Sequence, residues 1–522
     1  MSDSAPAPTQ YLRLGEARGR WVLAAAILGT GMAFLDATVV NVALPTLGRD
    51  LDADVAGLQW VVNAYTLTLA ALILLGGSLG DRLGRRRVFV VGVVWFAIAS
   101  LLCGLAPNVS LLVVARALQG IGGALLTPGS LAIIQASFHP ADRPKAIGIW
   151  SGLAGVTTAV GPFVGGYLVD AVSWRWVFLI NVPFALAVVL AALRHVPESR
   201  DPSATGQFDL GGAGLAALGL GGVTYALIEA PEQGAASPAV LGAGVVGVLS
   251  FAAFVLVEVR GRNPMLPTGI FASAQFTAAN LTTFAVYGAL GGTLFFLVVQ
   301  LQVVAGFSAT AAGVALLPVT VLMLLLSPRA GELAQRIGPR RPMTFGPLVA
   351  AVGLLLLLRV GADASYLTDV LPGVVVFGLG LSLTVAPLTA TVLGAAPVAH
   401  AGIASGVNNA VARAAGLLAV AVLPTAVGLS GDDYQNPAAF TDGYRGATVI
   451  GAAMLAVGAL LAWTKVRDDV LAQPEPEPAP VEGAPAIPAP RHRHREPACP
   501  MQCGIGAPVW DPGTEETATP SR

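Results

Sequence analysis

Apolar runs about as long as a bilayer is thick recur along this chain, and no other feature constrains its fold so strongly. Crossing a hydrocarbon core takes roughly 20 apolar residues of helix. Fourteen such runs follow one another, at 21–45, 59–80, 88–106, 111–136, 146–169, 174–193, 209–229, 238–258, 276–301, 308–327, 343–360, 367–390, 402–425 and 446–464. Lipid offers no partner to a backbone N–H or C=O, so runs of this kind predict helices, whose bonds are internal. The predicted class is an all-α polytopic membrane protein with 14 transmembrane helices. Charge content agrees: 11% of residues are charged, against roughly 25% in a soluble domain. The first run is too long for the apolar part of a signal peptide and leads into further spans, so no cleavable leader is expected.

An even number of spans puts both termini on one side, and the basic residues choose the side. With the termini in the cytoplasm, Arg49, Arg175, Arg359 and Arg445 fall outside, Arg116 and Arg413 fall within spans, and the other 23 of 29 fall inside. That asymmetry satisfies the positive-inside rule. Lys145 and Lys465 are the only lysines, a bias read here as that of a GC-rich bacterial genome. The expected location is thus a bacterial inner or plasma membrane, crossed many times. A net charge of −1 gives no electrostatic reason to expect nucleic acid as a partner.

After Lys465 the composition changes. Residues 473–490 are rich in Pro, Glu and Ala, followed by Arg491-His492-Arg493-His494-Arg495. Such a segment cannot bury a core, and 466–522 is expected to be a disordered cytoplasmic tail. Its His492, His494, Cys499 and Cys503 could hold a metal, but Cys-x3-Cys is not a strong zinc signature, and the expectation is an unstructured tail with no metal. With only Cys103 elsewhere, no disulfide framework is implied.

Two loops repeat each other. Gly77-Ser78-Leu79-Gly80-Asp81-Arg82-Leu83-Gly84-Arg85-Arg86-Arg87 follows the second run, and Gly331-Glu332-Leu333-Ala334-Gln335-Arg336-Ile337-Gly338-Pro339-Arg340-Arg341 follows the tenth. Like loops in two halves mark a repeated transporter fold. The expected organisation is a cytoplasmic N-terminus at 1–20, six-helix halves at 21–195 and 271–465, and a linker at 196–270 carrying two extra spans.

At this point a family resemblance becomes specific. The Gly77–Arg87 loop resembles the signature between spans 2 and 3 of the major facilitator superfamily. Leu112 to Gly122, with its buried Arg116, resembles the span-4 motif, and Gly161-Pro162-Phe163-Val164-Gly165-Gly166 the span-5 motif associated with antiporters. Leu35 to Pro45, Trp174 to Pro183 and Gly402 to Asn409 are similar to the fourteen-span drug:proton antiporters of the QacA/EmrB type. The resemblance covers about 20–465 and implies two six-helix halves plus two inserted spans. It implies that Gly77, Asp81, Arg82, Gly84, Arg85 and Arg86 latch the halves together in the outward-facing state. It implies that Arg116 faces the central cavity and takes part in proton coupling.

Asp36 is the sharpest chemical signal. It lies midway along the first run, and no other acid is securely inside a span; Asp209, Glu229, Glu258 and Asp369 sit at span ends. A carboxylate at the bilayer centre costs about 2.5–3.5 kcal/mol on insertion scales, so Asp36 needs a cavity or a partner. It is the expected proton carrier and the expected contact for a cationic substrate. Arg116 is its natural counter-charge. Arg116, Gln119, Gly123 and Thr127 recur on one face of span 4, although spacing does not show contact with Asp36. Gly161, Gly165 and Gly166, with Pro162, suit close approach to a facing helix. Asn41, Tyr65, Gln119, Asn408, Asn409 and Arg413 are candidates for lining the cavity, as are Trp60, Phe295 and Phe296, although aromatics in membrane helices more often pack or anchor.

Other classes lack support. No Gly-x-x-x-x-Gly-Lys occurs, which excludes a P-loop ATPase. Gly76-Gly77-Ser78-Leu79-Gly80 matches a hydrolase elbow in letters only, since that motif needs a strand-turn-helix setting. No acid/base pair or metal cluster points to an enzyme, and nothing points to a sensor. The expectation is a proton-coupled exporter of small, amphipathic, cationic drugs by alternating access. It would work as a monomer with the proton gradient as its energy source and no cofactor. A dedicated exporter of one endogenous metabolite is the alternative.

Overall fold

The computed structural model describes residues 11–200, 209–261, 266, 268–396, 401–431 and 433–471. Helices occupy all fourteen apolar runs: α1 Ala17–Leu51, α2 Val55–Leu83, α3 Arg85–Gly104, α4 Val109–Ser137, α5 Arg143–Ala171, α6 Trp176–His195, α7 Leu210–Gln233, α8 Pro238–Arg260, α9 Ala274–Val304, α10 Ala309–Ile337, α11 Arg340–Arg359, α12 Tyr366–Gly394, α13 Ala401–Ala426 and α14 Pro437–Lys465. By length and hydropathy, 13 of them are long and apolar enough to cross a membrane. The remaining run falls on α5, a helix of 29 residues in which several side chains lie outside the described set.

Side-chain caps close the helix starts in the way the sequence invites. Asp54 accepts from the Gly57 N–H at 2.6 Å on α2, Asn108 from Leu111 at 2.9 Å on α4, and Ser308 from Ala311 at 3.1 Å on α10. Proline lies inside many of the helices, Pro45, Pro128, Pro162, Pro387 and Pro424 among them. The end of α9 loosens into a π-helical turn at Gln300–Val304, which re-aims Gln302 toward α1.

The packing is the same in the two sets of six. α2 and α3 both lie against α4, and α10 and α11 both lie against α12. α1 packs on α5 and α6, as α9 packs on α13 and α14. The repeated loops are also alike in structure. Gly84 has φ +118°, and a Cβ there would meet a Glu198 carboxylate oxygen at 2.7 Å; Glu198 accepts from the Arg86 N–H at the start of α3. Gly338 has φ +83° and is crowded by Asp468, which accepts from the Arg340 N–H at the start of α11. Each loop therefore turns at a glycine, because a side chain would be strained there, and each receives an acid from the segment after the sixth helix of its half.

The Asp468 contact revises one boundary. The tail was expected to begin at 466, but Arg467 and Asp468 are docked and Asp468–Leu471 forms a short 3₁₀ turn. Residues 472–522, with His492, His494, Cys499 and Cys503, lie outside the described residues.

α7 and α8 pack on each other, and only 11% of the most apolar window of α8 is buried. Its outer side chains, Val245, Val248, Leu249 and Phe251 among them, are exposed as a lipid-facing surface would be. α7 lies against both α2 and α13. Trp60 on α2 donates to Glu229 at 2.8 Å, and Thr425 on α13 donates to the Leu227 carbonyl at 3.2 Å. The inserted pair thus straddles the seam between the halves.

Candidate functional site

Asp36 sits midway along α1 and is fully buried inside the N-terminal half. Arg116, on α4, donates to its Oδ2 in an ion pair whose partners are both nearly inaccessible. Its Oδ1 accepts from Gln119 at 2.8 Å and from Asn181 at 3.3 Å. Arg116 also donates to the Val61 carbonyl of α2 at 3.0 Å and to Gln119 at 2.7 Å. Gln119 and Asn181 both donate to Ser100 of α3, at 2.7 and 3.3 Å. Tyr65 lies under the guanidinium, 4.4 Å from its ring centroid, and donates to the Ala33 carbonyl.

Five helices meet in this network: α1, α2, α3, α4 and α6. The physical reason is plain. A lone carboxylate in an apolar interior is very costly, and it persists there only when paired and hydrogen-bonded. Arg116 supplies the charge, and Gln119 and Asn181 supply the remaining donors. The arrangement holds one negative and one positive charge in reserve. Adding a proton to Asp36 would dissolve the ion pair and leave Arg116 held by the Val61 carbonyl of α2 and by Gln119 of its own helix.

Two expected cavity residues prove to belong elsewhere. Tyr65 and Gln119 are buried within this network, because the ion pair needs a π-face and an amide beside it. Asn41 turns back to the Ala37 carbonyl of its own helix. Asn408 donates to Asn280 and Thr283 on α9, inside its own half, and Asn409 to the Ser405 carbonyl. Among the expected aromatics, Phe295 and Phe296 are core packing, while Trp60 binds Glu229. Arg413, midway along α13, alone reaches across the halves, with its guanidinium 5.5 Å from the Phe34 ring centroid on α1.

Within the loop after α2, Asp81, Arg85 and Arg86 find their partners inside the N-terminal half. Asp81 pairs with Arg85 at 2.8 Å, one turn along the chain, and Arg86 bonds the Val196 carbonyl and Glu198. A Cβ at Gly80 or at Gly148 would meet nothing within 4 Å, and Leu83 and Ile337 are exposed. Among the described residues, these four positions at the end that carries Ala17 and Lys465 are uncovered by the other half.

At the other end the halves are sealed. Gln59 donates to the Val420 carbonyl at 2.7 Å, and Gln302 to the Val42 carbonyl at 2.9 Å. The span-5 glycines serve two neighbours. A Cβ on Gly165 would meet Val39 of α1 at 2.9 Å, and one on Gly166 would meet Thr310 Cα of α10 at 2.5 Å. Gly161 is likewise crowded by Thr38, and Gly313 of α10 by the Pro162 carbonyl. One turn past Gly166, Asp170 accepts from the Thr310 N–H at 2.8 Å and the Ala309 N–H at 3.3 Å. A carboxylate of one half thus caps a helix of the other, where the positive end of the dipole favours it.

Ser100, Asn181, Asp170, Gln59 and Gln302 were not singled out from the sequence. Asn181 lay inside a family-like motif with no role given to it. A lone Ser in an apolar run carries no signal, because its partner is set by packing alone.

The Major Facilitator Superfamily model matches residues 26–421. The chain is 38% identical to the Tetracenomycin C resistance and export protein of Streptomyces glaucescens, over 78% of this chain and 76% of that one. It is 37% identical to the Puromycin resistance protein pur8 of Streptomyces alboniger, over 85% and 91%, and 36% identical to the Multidrug efflux pump LfrA of Mycolicibacterium smegmatis, over 78% and 80%. Among solved structures, a D-xylose-proton symporter superposes with a TM-score of 0.62 at 16% identity, covering 87% of this chain and 99% of that one. A POT family transporter superposes with a TM-score of 0.64 at 14% identity, covering 85% and 95%. At such identities the solved structures speak for the fold alone.

Proposed function

Because the chain belongs to the major facilitator superfamily, and so is a multi-pass membrane transporter rather than an enzyme, we propose that it exports small amphipathic compounds in exchange for protons. The observation that carries this reading is the Asp36–Arg116 ion pair, a carboxylate and its cation buried together where five helices meet. Protonation of Asp36 releases Arg116, and Arg116 holds the Val61 carbonyl of α2. α2 in turn bonds α13 of the other half through Gln59. A proton arriving at Asp36 is thereby linked to the seam that must open for release.

With both termini in the cytoplasm of a bacterial cell, the conformation described is sealed outside and open inside. The loop carrying Asp81 then engages the other half only in the opposite state. The protein works as a monomer, and its energy comes from the proton gradient rather than from a cofactor. The names of relatives such as the Tetracenomycin C resistance and export protein and the Probable actinorhodin transporter of Streptomyces coelicolor favour a second reading, a dedicated exporter of one natural product.

The test is transport into inside-out vesicles carrying the purified protein. Uptake of a compound panel should follow an imposed pH gradient, collapse with a protonophore while ATP is held high, and vanish in Asp36→Asn. Uptake that persists through the protonophore, or in Asp36→Asn, refutes proton exchange at Asp36.

A further inference from the structure

Charge balance at mid-depth bears on what the transporter carries. Among the described residues, Asp36, Arg116 and Arg413 are the charged side chains near the middle of their helices. The first two cancel. Both Asp36 oxygens are taken, by Arg116 on one side and by Gln119 and Asn181 on the other, and the side chain has no exposed surface. In this inward-open conformation Asp36 offers nothing to a cationic substrate. The expectation of a cationic cargo rested on that carboxylate facing the cavity.

Arg413 is left over. It is half-buried on α13, at the level of Phe34, two residues from Asp36 on α1. Among the described residues no carboxylate, carbonyl or hydroxyl takes a hydrogen bond or ion pair from its guanidinium; its aromatic neighbour is the Phe34 ring. Tyr287 of α9 packs in the same apolar cluster as Val411 of α13, two residues from Arg413. A cation held at membrane depth beside an aromatic ring, with no counter-ion among the described residues, is an incomplete site, because buried charges are ordinarily paired.

A second observation lies close by. α2 meets α13 through Gln59, which bonds Val420, and through Leu74, whose side chain packs on Gly406. Asn63 is one turn from Gln59 and on the same stripe of α2. It is fully buried, and neither its amide nitrogen nor its amide oxygen has a protein partner. On the two facing helices, a cation and a neutral donor-acceptor group both lack partners.

We propose that the transported compound carries an anionic oxygen function, a carboxylate or an acidic phenol or enol, on an aromatic body, and that Arg413 pairs with it. Arg413 is then the residue that selects substrate charge, Phe34 and Tyr287 flank the aromatic body, and Asn63 donates to the same oxygen function as the seam begins to open. This rests on the reading of the chain as a proton-coupled exporter, and it replaces the cationic cargo.

The probe is one fluorescent naphthalene body carrying a butyrate, a butyramide or a butylamine, measured at a pH where the butyrate is ionised. Binding to the purified protein should favour butyrate over butyramide by about 10-fold or more, as a charge-assisted bond at a half-buried site would. Arg413→Gln should abolish that ratio with little effect on butyramide, and Arg413→Lys should keep part of it. Asn63→Val should weaken butyrate and butyramide alike. Tightest binding of the butylamine, an unchanged ratio in Arg413→Gln, or binding of none of the three overturns the proposal. Uptake into inside-out vesicles separates the two readings. Transport that follows the pH gradient without charge preference sinks this inference and leaves proton exchange standing. Butyrate preference with indifference to the gradient does the reverse.

Discussion

Removing the carboxylate of Asp170 should loosen the seam beside Gly166 without touching the Asp36–Arg116 pair. Asp170 makes two hydrogen bonds to backbone N–H groups of Ala309 and Thr310, at 3.3 and 2.8 Å, across the halves. Bonds to a charged group contribute about 1.5–3 kcal/mol each where water is excluded. Asp170 is exposed, so water competes and screening reduces the value. A charge at a helix N-terminus adds about 0.3–1 kcal/mol. Together the latch stabilises the sealed state by roughly 1–2 kcal/mol, a factor of about 5–30 in the equilibrium between sealed and open. Ala312, on α10, is fully buried and makes a reporter when changed to Cys in a background lacking Cys103, Cys499 and Cys503. A membrane-impermeant thiol reagent added outside should label Ala312→Cys about 5–30-fold faster once Asp170→Ala is introduced. Asp170→Glu should lie between the two. Labelling that is unchanged or slower in Asp170→Ala would mean that the backbone contacts at Gly166 and Gly313 hold the seam alone.

Other consequences are open to measurement. Arg116→Gln leaves Asp36 buried without its cation and should cost about 3–5 kcal/mol, read as a fall in thermal unfolding temperature; Asp36→Asn in the same chain should restore most of it without restoring export, and a single mutant as stable as wild type contradicts the pairing. Gly166→Val places a branched side chain where even a Cβ would lie 2.5 Å from Thr310 Cα, so it should hold the outer seam ajar and raise proton leak in liposomes; a tight, active Gly166→Val defeats that account. Reporter fusions after residues 50, 140, 235 and 470 should read outside, inside, outside and inside, and any even–odd mismatch breaks the assigned topology.

Sequence and structure part company where a function depends on two distant helices meeting. The helices were legible because each is encoded by its own apolar run, and the repeat because Gly84 and Gly338 must both turn with positive φ. Asp36 and Arg116 were legible as charges that membrane depth makes expensive. Their contact was not, since α1 and α4 are brought together only by the packing of the whole half. The misplacement of Tyr65 and Gln119 has the same origin. A polar face on span 4 reads equally well as a cavity wall or as the lining of an ion pair, and only the burial of Asp36 decides. Asp170 was harder still, for its partners are backbone N–H groups of Ala309 and Thr310, which have no side-chain signature at all. The charges at mid-depth can be counted from the sequence, but their pairing comes only from the fold. That pairing buries Asp36 against Arg116 and leaves Arg413 beside Phe34 without an ion-pair partner among the described residues, so the charge balance at mid-depth is a property of the packing.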